Sequence, residues 1–195
     1  RWMGVLDRAL TQVLDACVGL DPDQQDAEAG RGSDGRSVWI EPVAPRWSSQ
    51  QVIDQELGLL AWTLSAQVLE PSPSRSIERG HLDVLQAAAA AEVAGGDRLV
   101  VIIGPAGAGK TSMLTAAIDD LNAQGRSVFG IAPTAKAARV LEGETGMRSD
   151  TLAKLLHEHA REGGPRPEWR LKRGTTVIVD EAGMVSTPDL WRLTD

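Results

Sequence analysis

Cysteine is nearly absent. Cys17 is the single one in 195 residues, so no internal disulfide can form, which fits a reducing cytoplasm. Long apolar stretches are missing too: no run approaches the ~18 residues that a bilayer span requires, so no membrane association is expected. The opening Arg1-Trp2-Met3-Gly4 leads into an amphipathic pattern, not the unbroken apolar core of a signal peptide. Positive charge is in deficit, with 20 Lys+Arg against 27 Asp+Glu and a net charge of −7. Bulk charge therefore does not draw the chain to polyanions. The deficit is uneven, however. Residues 1–80 hold 7 basic and 12 acidic side chains, whereas residues 131–175 hold 9 basic and 6 acidic ones. His157 and His159 lie close together but make no metal motif with the lone cysteine, so zinc is not expected. No internal repeat is visible. What is present, 42% apolar and 24% charged residues, fits a soluble globular chain of one domain plus a smaller appendage.

Apolar periodicity divides the chain. Val5, Leu6, Ala9, Leu10, Val13, Leu14 and Cys17 fall at helical spacing over residues 2–18, with Gly19 as a stop. This places Cys17 on an apolar helical stripe, as a small core residue. Residues 21–37 are rich in Asp, Gly and Gln and read as loop, and residues 38–47 hold at most a short strand. Ser48-Ser49-Gln50-Gln51 is a capping-box pattern with Ser48 as N-cap. Ile53, Leu57, Leu60, Leu64 and Val68 then form one stripe, with Trp62 on its apolar side. Pro71-Ser72-Pro73-Ser74 breaks the helix. The expected organisation is a mostly helical N-terminal region over residues 1–76 and a second domain over residues 77–195.

The second region alternates helices and strands. Helices are expected over residues 81–94, 110–123, 134–142 and 151–160, and strands over 99–103, 127–132 and 175–179. Leu99-Val100-Val101-Ile102-Ile103 has the unbroken apolar pattern of a strand buried on both faces. Such alternation implies an α/β fold, a parallel sheet with helices on both faces.

Two motifs carry chemistry. Gly104-Pro105-Ala106-Gly107-Ala108-Gly109-Lys110-Thr111 matches the phosphate-binding pattern G-x-x-x-x-G-K-[ST], with Ser112 following. Glycines let the backbone turn tightly and bring its N–H groups to an anion. The helix that follows points its positive end at the same anion. Lys110 then reaches the β- and γ-phosphates of ATP, and the Thr111 hydroxyl binds Mg²⁺. The second motif is Asp180-Glu181, which ends the apolar strand 175–179. Carboxylates at the end of a parallel strand stand where ligands bind. Asp180 suits the Mg²⁺ shell, and Glu181 suits orienting and deprotonating an attacking water.

Further segments resemble those of a known family. Leu82-Asp83-Val84-Leu85-Gln86 resembles the glutamine motif upstream of the loop, and Ile131-Ala132-Pro133-Thr134-Ala135-Lys136-Ala137-Ala138 resembles helicase motif Ia. Asp180-Glu181-Ala182-Gly183-Met184 resembles motif II, and Thr151-Leu152-Ala153-Lys154-Leu155-Leu156 the short segment after motif Ia. Together they resemble the first, RecA-like motor domain of a superfamily 1B DNA helicase of the RecD type. The nearest likeness is to the helicase region of MobF/TraI-like conjugative relaxases, and it extends over residues 82–195.

The resemblance implies an ATP-dependent motor acting on single-stranded DNA. It implies that Gln86 hydrogen-bonds adenine, the other reading being an ordinary exposed helix residue. It also implies that Pro133, Thr134 and Lys136 lie along the DNA backbone, although on its residues alone Lys136 reads as a solvated lysine. Thr151 either contacts DNA or caps a helix with Asp150. Among the six tryptophans, Trp169, between Pro167 and Arg170 in a basic loop, is the one to test for stacking on bases.

Helicases of this class use two RecA-like domains, the second supplying an arginine to the transition state. The later motifs are absent before Asp195, and Arg1 is no initiator. The expectation is a piece of a longer parent that lacks the second RecA-like domain. Such a piece binds nucleotide weakly and does not unwind DNA alone. A P-loop ATPase without helicase activity, and an inactive fragment, are the alternatives.

Overall fold

The computed structural model describes residues 11–13, 15–19, 47–67, 76–77, 80–105 and 107–194. The chain divides into two compact units, Arg1–Leu57 and Gly58–Asp195. The expected boundary at Pro71–Ser74 lies outside the described residues.

In the first unit, strand β1 (Cys17–Gly19) pairs antiparallel with β2 (Trp47–Ser49). Residues 11–13 and 15 are helical, but the expected helix does not reach Cys17. That residue faces Ser49 across the ribbon, because a ladder partner about thirty residues away captures its backbone. The same pairing moves the next helix start. Ser48 is held opposite Val18, so Ser49 takes the capping role and its Oγ accepts the Val52 N–H at 3.2 Å. Helix α1 (Gln50–Gln67) follows, its first eight residues in this unit and the rest, from Gly58, in the second. Leu57, Leu60 and Leu64 on its expected core stripe are exposed, and Trp62 is half-buried.

In the second unit, helix α2 (Val84–Val93) begins at a capping box. Asp83 accepts the Gln86 N–H, and the Gln86 side chain accepts the Asp83 N–H. Its alanines allow close approach to α3 (Lys110–Ala123), and Ala90, Met113 and Ala117 form their shared buried cluster. Arg126 fastens this pair to the sheet. Its Nη1 donates to the Gly95 carbonyl at 2.5 Å and its Nη2 to Thr176 Oγ1 at 2.9 Å. A cation at the carbonyl end of α2 also suits the helix dipole.

Three parallel strands form the sheet. β3 (Val128–Ala132) is central, with β4 (Ser149–Thr151) on one side and β5 (Thr176–Val179) on the other. Side chains alternate across it. Phe129, Ile131, Val177 and Val179 join a cluster with Leu152, Leu155 and Leu156 of α5 (Leu152–His159) and with Trp169. Val128 and Ile178 join the other, with Ile118 of α3, Leu141 of α4 (Ala135–Thr145) and Met147. The helices therefore cover both faces, the α/β RecA-like arrangement. Gly130 in the central strand is dictated by packing, since a Cβ there would collide with Ser149 Oγ and stand 2.7 Å from Met147 Cε. Helix α6 (Thr187–Thr194) closes the described chain. No described helix is long and apolar enough to cross a membrane.

One expected strand is not formed. Leu99–Ile103 makes no ladder hydrogen bonds, and Val101 and Ile103 are 70% and 94% exposed. An apolar run becomes a buried strand only where a neighbouring edge and a covering layer receive it. Among the described residues neither does so.

Candidate functional site

The loop at 104–111 is shaped by two glycines. Gly107 and Gly109 have φ of 75° and 71°, in the left-handed region that side chains disfavour. Gly109 is the N-cap of α3 and offers no side-chain cap. The first N–H groups of a 14-residue helix are thus left for an outside acceptor. Ala106 lies outside the described residues; Gly104, Ala108, Gly109 and Ser112 are half-buried, and Pro105, Lys110 and Thr111 exposed. Lys110 Nζ donates to the carbonyls of Gly104 at 2.9 Å and Pro105 at 3.0 Å. The ammonium is therefore held at the loop and not spread into solvent. This donor set of turned backbone, free helix start and adjacent ammonium fits a polyphosphate.

Thr111 Oγ1 donates to Glu144 Oε2 at 3.0 Å. Giving its proton to a carboxylate leaves the oxygen lone pairs for a cation. Glu144 sits in the last turn of α4, 33 residues from Thr111, and no local pattern points to it. Only the packing of α4 beside α3 brings it there.

Asp180 continues the β5 ladder, its N–H meeting the Ile131 carbonyl at 2.9 Å. Its Oδ1 accepts the Glu181 N–H at 2.9 Å. Glu181 has φ 51° and ψ 38° and precedes a 3₁₀ turn, Ala182–Met184. It is the non-glycine residue with positive φ among those described, a conformation costing about 1–2 kcal/mol. Strain of this kind concentrates at working positions. The oxygen donors Thr111 and Asp180 are the type Mg²⁺ prefers. No described hydrogen bond or ion pair joins the loop to Asp180 or Glu181, and no group of three His, Cys, Asp or Glu forms a metal cluster among the described residues.

Gln86 is already engaged. Its Oε1 accepts from Asp83 N at 3.0 Å, and its Nε2 donates to the Ala108 carbonyl at 3.0 Å. Pro133 is half-buried, and Thr134 and Lys136 are exposed where β3 gives way to α4. Thr134 also caps α4 by accepting the Ala137 N–H at 3.1 Å. Thr151 caps α5, accepting the Lys154 N–H at 3.2 Å.

Trp169, the candidate for base stacking, is buried instead. The ring is 6% exposed. It meets Phe129 edge-on at 6.0 Å, with the Arg148 and Lys154 cations 5.0 and 5.7 Å from its centroid. Its basic neighbours line the outside of a core residue. Arg148 also donates to the Glu168 carbonyl, and His159 Nε2 lies 3.0 Å from the Trp169 carbonyl.

Glu158 was invisible as a special residue in the sequence. It is 1% exposed and held by Arg166, through bonds of 2.5 and 3.0 Å, and by Lys154 at 3.0 Å. The Arg166 hydrogen bond, opposed by desolvation and helped by Lys154, lowers its pKa to about 2. The Lys154–Glu158 spacing was readable as a helical i,i+4 pair. Arg166 was not, since it lies beyond a turn.

Comparison with known proteins places this geometry in a family. The model of a family described as "AAA domain" matches residues 81–195. The chain is 40% identical over 123 residues to the "Probable conjugal transfer protein TraA" of Sinorhizobium fredii (strain NBRC 101917 / NGR234), 62% of this chain and 10% of that protein. It is 40% identical over 112 residues to the conjugal transfer protein TraA of Rhizobium radiobacter, 54% of this chain and 9% of that one. With the TraA of Agrobacterium fabrum (strain C58 / ATCC 33970) the identity is 35% over 118 residues, 57% of this chain and 10% of the relative. The chain thus spans about a tenth of the length of the curated relatives it matches. These relatives agree with the relaxase–helicase resemblance of the motifs. With a loop of this shape, a parallel sheet of this order and a family match over more than half its length, the chain belongs to the AAA domain family.

Proposed function

We propose that the chain is the ATP-binding part of a DNA helicase motor of the relaxase, RecD-like type. Within a longer parent it couples ATP hydrolysis to movement along single-stranded DNA. The observation that carries the reading is the loop, in which left-handed Gly107 and Gly109 deliver the chain into an uncapped helix with Lys110 and Thr111 at its start. Similarity to proteins named for conjugal transfer supports DNA as the polymer.

The residues divide the work by chemistry. Backbone N–H groups of Gly107, Gly109, Lys110, Thr111 and Ser112 receive the phosphates, and Lys110 offsets charge on the β- and γ-groups. Thr111 and Asp180 would hold Mg²⁺, with Glu144 orienting the Thr111 hydroxyl. The ion would there neutralise charge on the triphosphate. Glu181 takes the proton of the attacking water. Thr134 and Lys136 offer a donor and a counter-charge to DNA phosphates, beside Pro133. An arginine from a second RecA-like domain completes the parent, so this chain alone hydrolyses ATP slowly.

The test has two arms. ATP binding by the chain should be lost in Lys110→Ala, and ATP hydrolysis by the full-length parent should rise on adding single-stranded DNA. Binding and hydrolysis without DNA stimulation would instead identify a P-loop ATPase that does not translocate.

A further inference from the structure

Glu144 stands where its own helix disfavours it. It lies in the last turn of α4, which carries no basic residue, and the carbonyl end of a helix repels negative charge. No ion pair among the described residues relieves it. Its hydrogen-bond partner is the Thr111 hydroxyl, 3.0 Å away, in the first turn of α3. Both side chains are exposed, so burial does not force the pair together.

That first turn of α3 is the positive end assigned to the phosphates. A carboxylate beside it competes with an anion for the same field, because like charges repel. A cation at Thr111 Oγ1 reverses the sign. It stands beside the carboxylate and the phosphates together, and both attract it. One side chain therefore opposes the bare triphosphate and favours the triphosphate with its metal. A pair of unit charges a few ångströms apart in water shifts an equilibrium about fivefold.

We propose that Glu144 couples nucleotide binding to the divalent cation. Its charge disfavours metal-free ATP at the loop and favours ATP that arrives with Mg²⁺. This goes beyond orienting the Thr111 hydroxyl, and it rests on the phosphate-binding reading of residues 104–111.

Three variants separate charge from hydrogen bonding. Glu144→Gln keeps an acceptor for Thr111 and removes the charge. Glu144→Ala removes both. Glu142→Gln removes an equal charge from an exposed position of the same helix, two residues earlier and so on its opposite side. Dissociation constants of the purified chain for ATP would be measured by calorimetry at low salt, with Mg²⁺ and again with EDTA, and circular dichroism would monitor folding. The unaltered chain should bind ATP more tightly with Mg²⁺ than without. In Glu144→Gln metal-free ATP should bind about threefold to tenfold more tightly while the Mg²⁺ form gains nothing, so the ratio of the two constants shrinks. Glu144→Ala should shrink the ratio at least as much, and Glu142→Gln should leave it within about twofold. An unchanged ratio in Glu144→Gln, or an equal shrinkage in Glu142→Gln, would overturn the proposal and reduce Glu144 to a hydrogen-bond acceptor. Equal affinity of the unaltered chain with and without Mg²⁺ would also overturn it, while the phosphate-loop reading would stand. Absence of binding under either condition would sink that reading, and the proposal with it.

Discussion

Trp169→Ala separates a core residue from a DNA-stacking one. The indole is 6% exposed and lies against Phe129 and the α5 leucines. A buried tryptophan removes about 150–250 Å² from water, which at about 25 cal/mol per Å² corresponds to roughly 4–6 kcal/mol as an upper bound. Measured truncations of buried Phe and Trp cost about 3–5 kcal/mol. The two cations at 5.0 and 5.7 Å add about 0.5 kcal/mol each at sites this exposed. A loss of about 4 kcal/mol is therefore expected. For a unit of this size each kcal/mol moves Tm by about 2–4 °C, giving a fall of roughly 8–16 °C. Scanning calorimetry reads it directly, and Trp169→Phe should recover part of the loss. Single-stranded DNA binding, measured well below the lowered Tm, should change little. A Tm within about 2 °C of the parent chain, together with weakened DNA binding, would refute the burial argument and restore the stacking role.

Glu158 makes stability depend on acid. Its pKa is lowered to about 2 from 4.5, so its contribution is full above the unfolded value and is lost as pH falls from about 4.5 toward 2. In urea titrations the stability gap between the parent chain and Glu158→Gln should be widest near pH 7 and shrink toward pH 2; a gap independent of pH contradicts the ion cluster. Glu181→Gly should relieve the left-handed strain of about 1–2 kcal/mol, less about 0.5–1 kcal/mol of added unfolded-chain entropy, for a net gain of about 0.5–1 kcal/mol. Its Tm should rise slightly while hydrolysis in the parent falls about 10²–10⁴-fold, and a lower Tm would count against the strain. Ile103→Thr, at a position 94% exposed, should change stability by no more than about 0.5 kcal/mol. A penalty of 1 kcal/mol or more would mean that this segment is packed as a strand after all.

Local chemistry determined much of this protein before any packing is considered. The start of α3 at Lys110 follows from glycines that turn the chain and from a residue run that favours helix. The start of α2 follows from the Asp83–Gln86 spacing. The parallel sheet follows from strands alternating with helices, and the acidic strand end from the polar break after Val179. Each of these depends on neighbours a few positions away.

Other features depend on partners far along the chain, and only the tertiary structure decided them. Whether Leu99–Ile103 pairs depends on an available strand edge, which no apolar pattern can report. Cys17 left its helical stripe because residues 47–49 offered a ladder. Trp169 turned inward because Phe129 and the leucines of α5 present an apolar surface for it, while its sequence neighbours advertise a basic one. Glu144 meets Thr111, and Gln86 meets Ala108, across separations bridged by helix packing. Side-chain type limits which interactions are possible. The folded backbone selects among them, because hydrogen bonds and burial act over ångströms in space and not over positions in sequence.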